Sequence, residues 1–107
     1  CAVIGARQMG EKETLPGGVV QFAHMLTGKI GHVHFIDSDG TLHDNATSTH
    51  APFGKGVLNF DEIVKALLEA GYTDDWWPMD LCFWPQALEA TAPAKQFMDA
   101  LAAKYSN

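Results

Sequence analysis

His32 and His34 stand one residue apart in the run IGHVHF, and Asp80 lies in a second apolar run, WWPMDL. Strand side chains two apart share a face, so the two imidazoles are expected to point the same way. Two imidazoles on one face of an apolar strand cost desolvation unless something uses them. A single strand histidine is more often a hydrogen-bonded core residue than a ligand. The H-x-H pair, with Asp37 three residues on, shifts that balance toward function. Asp80 is flanked by Met79 and Leu81. A carboxylate buried alone would tend to neutralise, and a metal ion is one way to keep it charged. Neutral imidazole with carboxylate suits Zn2+, Mn2+, Fe2+ or Co2+.

These groups need a frame. Residues 15–27 place Val19, Phe22, Ala23 and Leu26 on one stripe, which predicts a helix. Pro16 suits its first turn and Gly28 its end. Residues 30–35 are β-branched and aromatic and read as a strand. A polar stretch with turn residues follows, from Asp37 to Gly56. Residues 59–70 carry Phe60, Ile63, Val64, Leu67 and Leu68 on one face, with Asn59 as N-cap, Glu62 three residues on and Gly71 as stop. Residues 76–81 read as a second strand, with Pro78 a difficulty because it removes a ladder donor. A last helix is expected from Thr91 to about Tyr105. Pro93 would sit in its first turn, and Phe97, Leu101 and Tyr105 along one side. Helix, strand, loop, helix, strand, loop, helix is the order of an α/β protein with a parallel sheet. His32 and His34 then lie near the C-terminal end of one strand and Asp80 near that of the next, where such proteins build sites. Two parallel strands alone would leave bare edges, so this reads as one piece of something larger.

Composition narrows the partners. The chain has 107 residues, 47% of them hydrophobic, enough for one small domain. The net charge is -6 with seven scattered Lys and Arg, so there is no basic stripe for a phosphate backbone and nucleic acid is not an expected partner. No run is long and apolar enough for a membrane span, and the N-terminus does not read as a signal peptide. It lacks Met and begins inside an apolar run, which suggests a chain cut from a longer one. The two cysteines, Cys1 and Cys82, read as reduced thiols of a cytoplasmic protein, and the sequon at Asn45 then carries no meaning. Three other patterns fail on inspection. Asp37-Ser38-Asp39-Gly40 starts like a calcium loop, but Leu42 and Ser48 hold the places of its required Gly and Glu. H-x-H also occurs in cupins, whose barrels are antiparallel, whereas helical segments dominate here. The pairs Trp76-Trp77 and Phe83-Trp84, without basic neighbours, suit core and pocket wall better than base stacking.

The segments GKIGHVHFIDSDG, HAPFGKGVLNFDEIVKALLEAGY and WWPMDLCFWPQA together resemble the C-terminal part of the sugar phosphate isomerase/epimerase superfamily. Its members are xylose-isomerase-like (β/α)8 barrels. Three motifs carry the resemblance in order: an H-x-H-x-x-D strand, a G-x-G turn (Gly54, Gly56) before a helix, and a strand ending in an acidic residue. The resemblance runs from about Gly28 to Tyr105. It implies that residues 1–107 are one partial TIM barrel: the seventh strand and helix, the eighth strand and helix, and the helix before them.

The resemblance also implies roles. His34 and Asp80 would bind a divalent metal ion such as Mn2+, Co2+, Mg2+ or Zn2+. His32 would lie nearby in the barrel interior. Two further ligands, a Glu and an Asp, would come from earlier strands absent from this chain. The metal would hold two adjacent sugar oxygens and stabilise an enediolate of a keto-sugar or its phosphate, with carboxylates moving the proton. Asp80 is therefore the candidate catalytic carboxylate, while His32, His50, Trp84 and Arg7 are candidate substrate contacts. His43 and His50 are equally well explained as exposed loop histidines. Two departures stand out: Ile36 replaces a common Lys, and Asp80 replaces a common Glu, which favours ligation over proton transfer. The implied activity is sugar isomerisation or epimerisation. The alternatives are a related lyase or deglycosidase acting on 3-keto-glycosides, and a non-catalytic piece. A barrel of this class needs about 250 residues. The 107-residue chain alone is expected to be inactive, and its bare edges are expected to meet the rest of a barrel or further copies of the chain.

Overall fold

The structure, a computed structural model, describes residues 17–39, 42–43, 47–48, 50–82 and 84–105. Its helices are α1 (Gly18–Met25), α2 (Phe60–Glu69) and α3 (Ala87–Tyr105). Between α1 and α2 lies a small antiparallel hairpin of β1 (Leu42–His43) and β2 (Thr47–Ser48).

α2 follows from its own sequence. Asn59 accepts a hydrogen bond from the Glu62 amide through its side chain, at 3.3 Å, and so caps the first turn. Gly71 takes φ +89 after the last turn, a conformation that favours glycine. Phe60, Ile63, Val64, Ala66 and Leu67 are buried. Leu68, expected on that stripe, is 42% exposed, because Ala66 and Leu67 already complete the inward face. α1 packs against α2 and is shorter than expected, with Gly28 at φ +76 ending it. The Gly28 amide donates to the Ala70 carbonyl at 2.8 Å, tying the ends of the two helices together. Pro16 lies outside the described residues.

α3 starts four residues before the expected Thr91. The Ala87 amide already donates to the Trp84 carbonyl, and that of Ala90 to the Gln86 carbonyl. Thr91 is therefore inside the helix, its hydroxyl donating to the Ala87 carbonyl at 2.7 Å. Pro93 is also interior rather than in the first turn. Its buried stripe is Ala94, Met98 and Leu101; Phe97, expected there, stacks on Phe53 with centroids 4.6 Å apart.

Neither expected strand forms a continuous ladder. Residues 30–35 and 76–81 meet through one parallel bridge, Phe35 to Met79. The Phe35 amide donates to the Pro78 carbonyl at 2.8 Å, and the Asp80 amide donates to the Phe35 carbonyl at 3.0 Å. The direction is the expected parallel one. Pro78 is harmless there, since the bridge uses its carbonyl and not the missing N–H. The two pairings of the first segment, Phe35 with Met79 and Asp37 with Ala51, are isolated bridges, too short for a ladder. The stretch 37–56, read as turns alone, contains the hairpin and an antiparallel bridge from Asp37 to Ala51. The core gathers Phe35, α2, Tyr72, Met98 and Leu101, so both bridged segments rest on it.

Candidate metal and sugar site

The parallel bridge brings the two chemistry-bearing segments together. Asp80 follows the bridged Met79, and His34 precedes the bridged Phe35. His34 Nδ1 lies 3.5 Å from Asp80 Oδ2. His50 Nδ1 lies 3.4 Å from the same oxygen. The Asp37–Ala51 bridge delivers it, by folding the end of the hairpin back beside the first segment. Asp80 Oδ1 accepts a hydrogen bond from the Cys82 amide at 2.9 Å. That amide above all, then His50 and His34, hold the Asp80 carboxyl below the usual carboxylate range against the opposing effect of burial. Asp80 is thus half-buried and hydrogen-bonded, not the isolated carboxylate its apolar neighbours imply.

His32 points to the same side as His34, as the alternation requires. Their rings meet edge to face, with centroids 5.2 Å apart and planes 82° apart. His32 Nδ1, however, goes to Asp74 Oδ2 at 3.0 Å, on the turn after α2. Asp74 Oδ1 accepts from the Trp76 amide at 3.2 Å. The His32 hydrogen bond first, then the Trp76 amide, lower the Asp74 carboxyl from its ordinary value. Nothing in the sequence analysis singled out Asp74. The available signal was an Asp two residues before Trp76, the spacing of a side chain that bonds its own backbone two residues on.

Asp37 is buried, and its two oxygens accept from four backbone amides. Oδ1 takes those of Ser38 (2.8 Å) and Leu58 (3.2 Å), and Oδ2 those of Gly54 (2.9 Å) and Gly56 (3.0 Å). The third member of H-x-H-x-x-D therefore anchors the G-x-G turn. A Cβ at Gly56 would overlap Asp37 Oδ1 and the Ser38 backbone, so the turn can approach the carboxylate only with glycine there.

A family profile described as Xylose isomerase-like TIM barrel matches residues 7–103. The chain belongs to the xylose isomerase-like TIM barrel family. Comparison with curated proteins and with solved structures found no match. Membership agrees with the resemblance drawn from the H-x-H-x-x-D, G-x-G and terminal acidic motifs, and the chain is read as a fragment of such a barrel.

A xylose isomerase-like barrel raises the question of a divalent ion, and the donors answer in part. Metal–nitrogen and metal–oxygen bonds of about 2.0–2.2 Å put neighbouring donors about 3.0–3.5 Å apart. The separations from Asp80 Oδ2 to His34 and to His50 match that spacing. Yet among the described residues no group of three or more His, Cys, Asp or Glu side chains is arranged to hold a metal ion. The donor chemistry fits; the set is incomplete. Trp84 is half-buried and its backbone links the Asp80 segment to α3. Arg7 lies outside the described residues, and of His43 only the backbone is described. A groove of about 520 Å3 between α2 and α3 is lined by Asn59, Phe97 and Lys104 but by none of the histidines. Among the described residues no helix is long and apolar enough to cross a membrane.

Proposed function

We propose that this chain is the C-terminal portion, from about the seventh strand to the eighth helix, of a metal-dependent isomerase or epimerase acting on a keto-sugar or its phosphate. The observation that carries the reading is Asp80 Oδ2 lying 3.5 Å from His34 Nδ1 and 3.4 Å from His50 Nδ1. His34 and Asp80 are the proposed metal donors of this chain, and the remaining donors belong to the other strands of a complete barrel. Mn2+, Co2+, Mg2+ and Zn2+ all suit such a set.

A bound divalent ion would supply polarisation of the sugar carbonyl. The residues of the chain prepare for that. The Cys82 amide and the two histidines keep Asp80 ionised, which favours an anionic donor over a proton-transferring base. His50, within 3.4 Å of Asp80, and His32, whose ring meets that of His34, are the proposed contacts to sugar hydroxyls. Asp37 anchors the Gly54–Gly56 turn by accepting from both of its glycine amides.

Elemental analysis of the purified chain tests the donor assignment. In equilibrium dialysis against excess Co2+, the unmodified chain should take up metal, and His34→Ala and Asp80→Ala should take up markedly less. Equal uptake by all three would remove both residues from the proposed site.

A further inference from the structure

We propose that Asp74 is a positioning residue, which fixes His32 in its Nδ1–H tautomer so that the His32 ring in turn sets the orientation of the His34 ring. The proposal rests on the reading of His34 as a donor, but its structural content is independent of any metal.

The chain of contacts is continuous. Asp74 is itself fixed, because its Oδ1 accepts from the Trp76 amide while the fully buried Tyr72 donates its hydroxyl to the Trp76 carbonyl at 2.8 Å. The turn 72–76 is thus closed on itself, and it directs Asp74 Oδ2 at His32 Nδ1. An ionised carboxylate only accepts, so Nδ1 carries a proton, and in the neutral ring Nε2 then holds the lone pair. A ring held at Nδ1 cannot turn freely about its χ2 angle. The edge-to-face contact at 5.2 Å then presents a fixed surface to the His34 ring, whose Nδ1 lies 3.5 Å from Asp80. His34 has its own side chain more than half exposed, and so depends on such a neighbour for its orientation. Partners bonded directly to a ligating ring commonly change metal affinity about 10- to 100-fold when removed, and Asp74, one ring further out, is expected at the low end of that range.

Asp74→Asn is the informative variant, because it keeps shape and the Asx turn while inverting one polarity. The Asn oxygen stays on the Trp76 amide, which leaves the NH2 facing His32 Nδ1. That arrangement requires a lone pair on Nδ1 and forces the Nε2–H tautomer. Long-range 1H–15N spectra of the histidine rings, recorded on the metal-free full chain at a pH where the imidazoles are neutral, read this directly. The unmodified chain should show His32 as the Nδ1–H tautomer. Asp74→Asn should show it as Nε2–H, with the His34 ring signals displaced and those of His24 unchanged. An unchanged His32 tautomer, or a flipped one that leaves His34 unmoved, overturns the proposal. Asp74→Glu serves as the second variant: it keeps an accepting carboxylate, should retain the Nδ1–H tautomer, and overturns the proposal if it does not. In Co2+ titrations Asp74→Asn should weaken binding by about tenfold. A chain that binds no Co2+ yet shows the flip and the His34 displacement upholds the positioning role and refutes the metal reading.

Discussion

At the scale of single residues, the buried carboxylate of Asp37 is the group on which the loop beside the site depends. It accepts four backbone amides and donates nothing. Asp37→Asn conserves shape but turns an NH2 toward two amide donors. Either Gly54 and Gly56 or Ser38 and Leu58 lose their acceptor. Leaving buried donors unsatisfied costs about 1–3 kcal/mol each. We expect Asp37→Asn to destabilise the chain by about 3 kcal/mol, read from chemical denaturation midpoints; a loss below about 0.5 kcal/mol would show that the amides find other partners. The two glycines of the turn make a contrast. Gly56→Ala drives a methyl group into Asp37 and the Ser38 backbone, an overpacking cost of about 1–3 kcal/mol. Gly54→Ala meets open space and carries only the strain of φ +89, about 1–2 kcal/mol. The same denaturation series, extended to Asp37→Asn/Gly56→Ala, should show the two losses combining non-additively, because the residues touch. Simple additivity there would mean that they act separately.

At the scale of elements, α2 and α3 are joined at the surface by one cluster. Lys104 and the Tyr105 hydroxyl both donate to Asp61 Oδ1 in the first turn of α2, the latter at 2.6 Å. Lys104 first, then Tyr105, depress the Asp61 carboxyl below its ordinary value. A depressed carboxyl stabilises the fold above the unfolded-state value of about 4, and that contribution is lost as pH falls through the lower, folded-state value. Asp61→Asn should therefore lower the thermal midpoint at pH 6 and narrow the difference between pH 6 and pH 3. Equal acid sensitivity of the two chains would remove the cluster as a source of stability. The elements were legible in the sequence where their signals are local. Asn59, the stripe Phe60–Ile63–Val64–Leu67 and Gly71 lie within thirteen residues, and helix α2 formed as read. The start of α3 was misread because Pro93 looks like a first-turn proline, whereas carbonyl acceptors at Trp84 and Gln86 begin the helix earlier. The strands were not legible as extended ladders, since pairing depends on neighbours that local sequence does not supply. Within the site, the alternation put His32 and His34 on one side. That His50 would reach Asp80 from thirty residues away, and that Asp74 would engage the Nδ1 of His32, follow from the hairpin and the turn after α2 rather than from spacing.

At the scale of the whole molecule, a single parallel bridge and an incomplete donor set describe the same situation. Trp76, Leu88 and Val57 are 73%, 86% and 69% exposed, a large apolar area for a chain of 107 residues. A (β/α)8 barrel uses about 250 residues and draws its site from the ends of several strands. In catalytic sites of the zinc type, three protein donors hold the ion and one position stays open for water or substrate. Among the described residues the proposed donors His34 and Asp80 fall short of that number, with His50 beside Asp80. The purified chain should therefore bind Co2+ weakly and turn over no keto-sugar. Incubation with a panel of ketoses and their phosphates, followed by product chromatography, reads the second expectation, and turnover that disappears in Asp80→Ala would refute it. Such a result would mean that the remaining donors come from residues outside the described ones or from a second copy of the chain, the latter told apart by its concentration dependence. With a second copy, activity would rise faster than linearly with protein concentration. A chain silent at every concentration is the outcome expected if, as proposed, the remaining donors lie on other strands of the barrel and complete the ring around His34 and Asp80.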